Sequence, residues 1–420
     1  MTINKLLNYA RCGVSLGAYW ALTTMAFGAT LTLKEALQRA EVENPQLQAL
    51  REQQAGAQAR VAGAASLPDP KVQLTYFGES VETRTGPQEA IYSIKQTVPW
   101  LSKLSTKASI AESRSDQVGH LYSVGRFRIR RAVATSYAEV VYLDQALAST
   151  SESLALIEDM RAIVEDQTRA GGSLNAMLRL EVETERTLDQ MQQLEQMRTV
   201  RRAELASLLA VELDSLGELV GFSEELQAAT DTAQLLQLLE AQNSELLAMR
   251  KATESAESAV RLSRLSRLPD FTFGLNYIQV GDPIMATKDA GRDPWNVTVA
   301  VNLPIWEGKN NAEIRAAQSD KRSIEARYRS RVLELKSDLS ASLARRNDAF
   351  QRMQRYEATL IPLAEQALEN SRSAYASNQI SALELIDSER ALLDLKLNYW
   401  RALTHVHQAD AAIRALIGQL

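Results

Sequence analysis

The chain has 420 residues and 45% of them are hydrophobic, so it can bury a sizeable core and is not disordered as a whole. Its net charge of -5 argues against a general nucleic-acid-binding protein, because such proteins carry a basic surface. One cysteine and three histidines exclude a disulfide scaffold and a zinc site built from cysteine clusters. Glycine (18) and proline (10) are scarce, which indicates few turns and long, uninterrupted elements.

Residues 1–28 have the pattern of a secretory signal peptide. Lys5 and Arg11 precede an uncharged apolar stretch, and residues 26–28 resemble a small-x-small cleavage site. A membrane anchor is the alternative, although the stretch is shorter than the roughly 20 apolar residues that a spanning helix needs. Cys12 precedes the apolar stretch, so it is not placed as the cysteine of a lipobox. No later part of the sequence is apolar over the length of a transmembrane helix.

The sequence is duplicated internally. Residues 41–51 match residues 240–250 at a constant offset, and three shorter pairs of segments follow in the same order. Four ordered pairs indicate two structural repeats, residues 29–220 and residues 221–420. The shorter pairs are Leu67-Pro68-Asp69 with Leu268-Pro269-Asp270, Val98-Pro99-Trp100 with Leu303-Pro304-Ile305-Trp306, and residues 169–176 with residues 375–382.

Each repeat is predicted to contain a helix, two strands and a long helical hairpin. In the first repeat, residues 33–66 have a helix-forming composition. Alternation of apolar and polar residues then predicts strands at about 71–79 and 89–98. The same alternation predicts strands at about 271–279 and 295–303 in the second repeat.

Long stretches with few helix-breaking residues follow both strand pairs. Residues 101–169 contain only two glycines as weak breakers, and a helix of that length would be on the order of 100 Å long. Residues 307–376 are similar, with Pro362 as a predicted kink. Residues 385–416 show apolar residues at heptad spacing, which indicates coiled-coil packing. The predicted fold class is therefore mainly α with a small β part.

The strands have one apolar face and one polar face. Their length suits tilted strands that cross a bilayer, which need about 9–11 residues. In a membrane barrel the apolar face would contact lipid, and Asn296, Thr298 and Asn302 would line a water-filled lumen. A soluble sheet with one face on a core would show the same alternation, but the secretion signal and tryptophans near the strand ends favour a membrane. Four strands cannot close a barrel, so two chains would have to supply eight strands or three chains twelve.

The complete pattern resembles the TolC-like outer membrane factors, which are the exit ducts of Gram-negative tripartite efflux pumps and type I secretion systems. The resemblance rests on the duplicated plan, the Leu-Pro-Asp motifs before the strands, the Val-Pro-Trp and Leu-Pro-Ile-Trp motifs after them, and the two helix breaks. It implies a homotrimer that closes a twelve-stranded transmembrane β-barrel above a long α-helical coiled-coil barrel in the periplasm. Residues 96–103 most resemble the heavy-metal efflux branch.

The resemblance also implies partners and a function. The partners would be outer-membrane lipid, a periplasmic adaptor (membrane fusion) protein and an inner-membrane resistance–nodulation–division pump, with no nucleic acid. The duct would carry substrate, heavy-metal cations in this branch, from the periplasm to the exterior. A duct for type I secretion or for drug export is the alternative within the family. A periplasmic coiled-coil scaffold with small soluble sheets is the alternative from another class.

The two breaks between antiparallel helices, near 170–174 and 376–381, would be the periplasmic tips that contact the adaptor. An ordinary helix–helix turn is the alternative interpretation, since glycine and asparagine commonly end helices. The predicted tip residues are Gly171, Gly172, Ser173, Leu174, Asn378, Gln379, Ile380 and Ser381.

Two acidic residues follow the second tip. Glu384 and Asp387 are three residues apart and therefore share one helix face. Residues 385–387 match the acidic segment of the family's entrance constriction, so the resemblance implies a periplasmic gate formed by these carboxylates. Glu181 occupies the equivalent step of the first repeat. A solvated acidic helix face is the alternative.

The sequence contains no constellation of catalytic residues. Carboxylates are plentiful, but none accompanies a nucleophile, a phosphate-binding loop or a metal triad. His405 and His407 are two residues apart on a predicted helix, so they point to different faces and cannot bind one metal ion together. We therefore expect no enzyme activity, no cofactor and no metal site.

Overall fold

The computed structural model describes residues 30–169, 174–222, 231–285, 288–289 and 291–419. The predicted signal peptide and the predicted tip residues Gly171, Gly172 and Ser173 lie outside the described residues. The first half contains α1 (Leu33–Glu43), α2 (Pro45–Ala64), β1 (Lys71–Val81), β2 (Gln88–Val98), α3 (Leu101–Arg169) and α4 (Leu174–Leu209). The second half contains α5 (Thr232–Gln242), α6 (Ser244–Leu265), β3 (Asp270–Val280), β4 (Trp295–Asn302), α7 (Glu307–Arg355), α8 (Ile361–Ala376) and α9 (Ala382–Leu416).

The helix predicted over residues 33–66 is two helices. It is interrupted at Asn44, which has an extended backbone (φ -66, ψ 120) because the following Pro45 disfavours the helical conformation. The Asn44 side chain caps the new helix by accepting hydrogen bonds from the backbone N–H groups of Gln46 and Leu47. Asn243 produces the same break between α5 and α6 without a proline, since its side-chain oxygen also accepts two backbone hydrogen bonds.

The long helices lie where the sequence has few glycines and prolines to interrupt a helix. Helix α3 runs for 69 residues without interruption. Helix α7 passes through a π-helical segment, Tyr356–Leu360, into α8. The wider turn lies directly before Pro362, which cannot donate a backbone hydrogen bond to the preceding turn. The predicted irregularity at this proline is therefore a local change of helix type.

The core lies between helices, because each long helix can bury an apolar face only against another helix. One apolar cluster lies between α1, α2, α3 and α4. A second lies where α3 and α4 meet α8 and α9, and a third lies between α5, α6, α7 and α9. Side chains with almost no exposure are Leu47, Tyr137 and Leu209 in the first, Ile157, Leu180 and Leu385 in the second, and Leu239, Leu246 and Leu339 in the third. No residue of the predicted heptad series on α9 is exposed.

The four predicted strands form one antiparallel sheet in the order β1-β2-β3-β4. The two halves of the chain meet at its centre, where β2 pairs with β3 from Val98 opposite Phe271 to Ile91 opposite Ile278. Strands β1 and β4 are the edges. The sheet therefore ends on both sides in backbone groups that no strand of the described chain pairs.

The caps at Asn44 and Asn243 yield a stability prediction. Besides capping α6, Asn243 donates its amide to the carbonyl of Leu416 at 2.8 Å, which fastens the end of α9. Replacing Asn243 with Ala is expected to lower the free energy of unfolding by about 2 kcal/mol, because both the cap and this tertiary bond are lost. Asn44→Ala should have the same effect, since Asn44 makes the matching bond to Leu208.

The measurement is thermal unfolding followed by far-ultraviolet circular dichroism. Asp231→Ala is the matched control, because Asp231 caps α5 from an exposed position and accepts one hydrogen bond, from Ala233 at 3.0 Å. It should cost about 0.5–1 kcal/mol. An Asn243→Ala protein as stable as the Asp231→Ala protein would contradict the role assigned to the tertiary bond.

Candidate functional site

One face of the sheet is apolar and uncovered. Leu74, Tyr92, Tyr277 and Trp295 lie side by side across the four strands and are 63, 47, 44 and 68% exposed. No helix packs against this face in the described part of the chain. A soluble protein rarely exposes an apolar patch of this extent, so the face requires an apolar partner. Its exposed large residues are Val72, Leu74, Tyr76, Tyr92, Ile94, Phe273, Leu275, Tyr277, Trp295, Val297, Val299 and Val301.

Aromatic side chains concentrate near both ends of the strands. The rings of Tyr92 and Tyr277 are 6.3 Å apart toward the hairpin loops. The rings of Trp100 and Phe271 are 6.4 Å apart at the junction with the helices, where Trp306 is 72% exposed. Aromatic girdles at two levels around an apolar band are typical of strands that cross a membrane.

The opposite face of the sheet carries a ladder of polar side chains. Ser93 donates to the side-chain oxygen of Asn276 at 2.7 Å, and Asn276 donates to that of Asn296 at the same distance. Further along the same strand pair, the hydroxyls of Thr97 and Thr272 are 3.1 Å apart. These bonds satisfy polar groups while leaving the face hydrophilic, as the wall of a water-filled passage would be.

The three predicted lumen residues lie on this polar face. Asn296 belongs to the ladder, Thr298 pairs with Gly274, and Asn302 pairs with Asp270. Every residue of β4 is exposed in the single chain, whichever face it occupies. Burial therefore does not distinguish lumen from lipid here, and the assignment of these residues to a lumen remains a prediction.

The second predicted tip is a tight turn between α8 and α9. Asn378 has a left-handed backbone (φ 59), a conformation that asparagine tolerates better than most residues. The N–H of Gln379 returns to the carbonyl of Ala374 at 2.8 Å, and Ile380 packs onto the apolar cluster between the hairpins. Ser381 then caps α9. At the first tip, only Leu174 is described, and it is 65% exposed at the start of α4.

The predicted gate residues are exposed but do not all have the same environment. Glu384 lies in the first turn of α9, where its carboxylate accepts a hydrogen bond from the Ser381 hydroxyl at 3.3 Å. Asp387 is one turn further on, 57% exposed and 3.6 Å from Arg390. Glu181 lies on the other hairpin and is ion-paired with Arg161. The structure thus brings Glu384 and Asp387 onto one exposed face, and the Asp387 and Glu181 carboxylates each pair with a neighbouring guanidinium.

A buried polar cluster lies beside this face. Glu183 on α4 is 6% exposed and receives two hydrogen bonds from Arg390 on α9, one of them at 2.7 Å. Glu389 on α9 is 2% exposed and accepts a hydrogen bond from Ser153 on α3. Burial raises the pKa of Glu389, and the nearby Glu183 carboxylate raises it further. The cluster therefore joins three helices through one guanidinium and two carboxylates.

The sequence analysis did not identify Glu183 or Glu389, although the apolar pattern of α9 indicates that Glu389 is buried. Glu389 follows Leu385 by four residues and precedes Leu392 by three, so it lies on the buried stripe that these leucines define. A charged residue on such a stripe predicts a buried partner. Which residue provides that partner depends on how α9 is rotated against α3 and α4, which the sequence pattern does not specify.

The described residues show no metal site built from side chains. No group of three or more histidine, cysteine, aspartate or glutamate residues among them is arranged to hold a metal ion. His405 lies on α9, where partial desolvation of its imidazole and the positive charge of Arg401 lower its pKa. No described helix combines the length and the apolar composition needed to span a bilayer.

The buried position of Glu389 predicts a pH-dependent stability. Because its pKa is raised above the ordinary value of 4.5, the folded protein retains this proton to higher pH than the unfolded chain does. The contribution of Glu389 to stability is thus highest below pH 4.5 and falls as the pH rises through the raised pKa. Glu389→Gln should stabilise the protein at neutral pH by on the order of 1 kcal/mol, since it keeps the acceptor for Ser153 without the charge.

Melting temperatures of the parent and the Glu389→Gln variant, measured across this pH range, provide the test. We expect the two to converge in acid and to separate toward neutral pH. The exposed Glu384→Gln is the matched control and should show no such separation. Equal melting temperatures of parent and Glu389→Gln at neutral pH would contradict the prediction.

The chain is similar in sequence to several bacterial proteins. It is 27% identical to the probable outer membrane lipoprotein SilC of Salmonella typhimurium, over 28% of this chain and 27% of SilC. It is 23% identical to the cation efflux system protein CusC of Escherichia coli K12, over 44% of this chain and 41% of CusC. These two alignments span less than half of either relative. The cobalt-zinc-cadmium resistance protein CzcC of Cupriavidus metallidurans is 22% identical over 93% of this chain and 90% of CzcC.

The fold matches solved outer-membrane channels. The TM-score with VceC from Vibrio cholerae is 0.77 at 16% identity, over 92% of this chain and 96% of VceC. The TM-score with a crystal structure of CusC is 0.78 at 16% identity, over 93% of each chain. Residues 235–419, which run from within α5 to the end of α9, match the profile of the outer membrane efflux protein family. This match agrees with the resemblance to outer membrane efflux proteins that the sequence predicted.

Proposed function

We propose that three copies of this protein form an outer-membrane exit duct, which carries substrate from the periplasm to the exterior in a tripartite efflux system. The observation that carries the proposal is the sheet, with an uncovered apolar face, a polar opposite face and two unpaired edges. Lipid is the partner that fits the apolar face. Pairing with further copies satisfies the edges, since lipid contains no water to hydrogen-bond to them.

The direction of the duct follows from the connections. Both β-hairpin loops lie at one end of the sheet, and all four helical connections leave from the other end. If the sheet crosses the outer membrane, α3 extends on the order of 100 Å from it. The helical part then lies in the periplasm, with both hairpin tips at its far end. This geometry supports contact of the tips with a periplasmic adaptor and an inner-membrane pump of the resistance–nodulation–division type.

The names of the relatives favour metal cations as substrate. CusC is described as a cation efflux system protein and CzcC as a cobalt-zinc-cadmium resistance protein. The CzcC alignment covers nearly the whole chain, which supports export of heavy-metal cations here rather than of drugs or secreted proteins. A periplasmic scaffold fits less well, because it would leave the apolar face of the sheet in water.

A first prediction concerns the facing of β4. In a Cys12→Ser background, which removes the only cysteine of the chain, Thr298→Cys should react with a membrane-impermeant maleimide added to intact cells. Val299→Cys should react far less, because its side chain would lie in lipid, where the thiolate that reacts does not form. Labelling is read as a mass shift of the purified protein. Equal labelling at both positions would refute a membrane-spanning β4.

A second prediction concerns the gate. Three copies of Glu384 and Asp387 would place six carboxylates around the periplasmic entrance, which would favour cations. Replacing both residues with alanine should weaken cation selectivity and block by divalent cations in planar-bilayer recordings. Glu365→Ala with Glu369→Ala is the matched control, because it removes two exposed carboxylates from the same hairpin. If the control pair changes selectivity as much as the gate pair does, Glu384 and Asp387 are only a solvated helix face.

A further inference from the structure

Two lysines are the only charged side chains in the middle of the polar face of the described sheet. Lys71 on β1 and Lys95 on β2 are direct cross-strand partners, on the same face as the polar ladder. The rows of side chains that cross the sheet on either side of them carry no charge. The polar residues of these rows are Gln73, Ser93, Asn276 and Asn296 on one side and Thr97 and Thr272 on the other.

The two ammonium groups have no carboxylate partner on the sheet. Neither lysine forms an ion pair among the described residues, and Lys95 instead donates to the side-chain oxygen of Gln73 at 3.4 Å. Asp270, at the end of β3 next to the helices, is paired with Lys103 at 2.8 Å. Asp69 precedes β1 and therefore lies outside the sheet. The positive charge of the pair is thus not neutralised within the face that carries it.

Such a pair is expected to cost stability. Direct cross-strand partners have Cβ atoms about 4.5–5.5 Å apart, and like charges at such positions repel each other. Glutamine at both positions, as at Gln73 in the next row, would keep the face polar without this repulsion. Hydrophilicity alone therefore does not explain the two lysines. An anion in contact with both ammonium groups would offset their repulsion.

A hollow beside Lys95 adds a hydroxyl to the same row. Gly274 on β3 is the cross-strand partner of Lys95 on one side and of Thr298 on the other. A Cβ atom at Gly274 would lie 3.4 Å from Cγ of Lys95 and would overlap the Thr298 hydroxyl, so both side chains lie over the glycine. A threonine hydroxyl can donate a hydrogen bond, as an ammonium group does. The row therefore presents hydrogen-bond donors and a positive charge, without a carboxylate.

We propose that Lys71 and Lys95 form a basic band in the wall of the duct, which concentrates small anions in this part of the passage and disfavours free cations. Rings of charged side chains select ions of the opposite sign, and lysine rings favour anions. Three copies would contribute six ammonium groups at one level of the barrel. The inference rests on the proposed function, because the lysines line a passage only if the polar face encloses a lumen.

The band would act on a cationic cargo. Ammonium groups repel metal cations, and at physiological ionic strength this repulsion is screened over about 8 Å. A metal cation would therefore cross this level most readily with anions around it, as a complex of low net charge. The band is opposite in sign to the predicted entrance carboxylates, Glu384 and Asp387, so the two ends of the duct would favour different ions.

The sign of the potential at the band is tested with charged thiol reagents. In the Cys12→Ser background, Thr298→Cys places a thiol in the lysine row, two strands from Lys95 and therefore about 10 Å away at roughly 4.8 Å per strand. An anionic and a cationic methanethiosulfonate are added separately, and the rate of the mass increase is measured. We expect the anionic-to-cationic rate ratio to exceed that of free N-acetylcysteine several-fold. High salt should reduce the excess, because it screens the ammonium charges.

Replacing both lysines in the Thr298→Cys chain separates charge from shape. Lys71→Gln with Lys95→Gln should bring the rate ratio close to that of the free thiol, the paired glutamate variants should invert it, and the paired arginine variants should keep it. Gln73→Ala with Ser93→Ala is the matched control, because it truncates two side chains of the adjacent row without changing the charge. A rate ratio that is the same in the glutamine, glutamate and parent chains would overturn the inference.

Planar-bilayer recordings provide an independent measurement. With the predicted entrance carboxylates removed by Glu384→Ala and Asp387→Ala, reversal potentials in a potassium chloride gradient should show a preference for chloride. Adding the paired glutamine variants of Lys71 and Lys95 should shift the permeability ratio several-fold toward potassium. Channels that conduct with unchanged selectivity would overturn this inference and leave the proposed function intact. A protein that forms no conducting species, and whose Thr298→Cys thiol is unreactive in membranes, would overturn both.

Discussion

The unpaired edges of the sheet constrain the rest of the structure. Four strands provide three pairings, so the outer backbone groups of β1 and β4 have no partner within the described chain. In water such edges can be hydrated, but the exposed apolar face of this sheet indicates a surrounding of lipid, where an unpaired backbone group costs several kcal/mol. The sheet can therefore exist in a membrane only as part of a closed barrel. The helices that leave the sheet at the end opposite the hairpin loops then have to follow the same closed arrangement.

Duplication provides a simple way to meet this constraint. If each half presents one surface that fits the next half, the same contact serves inside the chain and between chains. The conserved caps at Asn44 and Asn243 show how closely the halves still correspond. Asp116 and Lys251 form an ion pair between α3 and α6 at 3.2 Å, and the residues at the equivalent positions of the other half, Arg322 and Glu52, also have opposite charges.

The sequence predicted the fold more completely than the site. The alternation of apolar and polar residues predicted the strands, because successive residues of a strand point to opposite faces of the sheet and here one face is apolar and the other polar. The scarcity of glycine and proline predicted long helices such as α3. The break at Asn44 was missed, although Pro45 disfavours a helical conformation at Asn44 and the Asn44 side chain caps the next helix. The π-helical segment before Pro362 and the buried bond between Glu183 and Arg390 depend on how helices rotate against one another. Periodicity along one element cannot give that rotation, so tertiary polar contacts were the part that the sequence left open.

Arg390 links the buried cluster to the predicted entrance. Its guanidinium bonds Glu183 in the interior and also lies 3.6 Å from the exposed Asp387. Burial holds Glu389 toward its neutral form, so the positive charge of Arg390 is shared mainly between one buried and one exposed carboxylate. If Asp387 lies at the predicted entrance, the negative charge there is set partly by buried side chains. Removing one partner of a buried ion pair leaves the other charge uncompensated. Loss of the Glu183 carboxylate would therefore change the interaction of Arg390 with Asp387, although Glu183 and Asp387 lie on different hairpins.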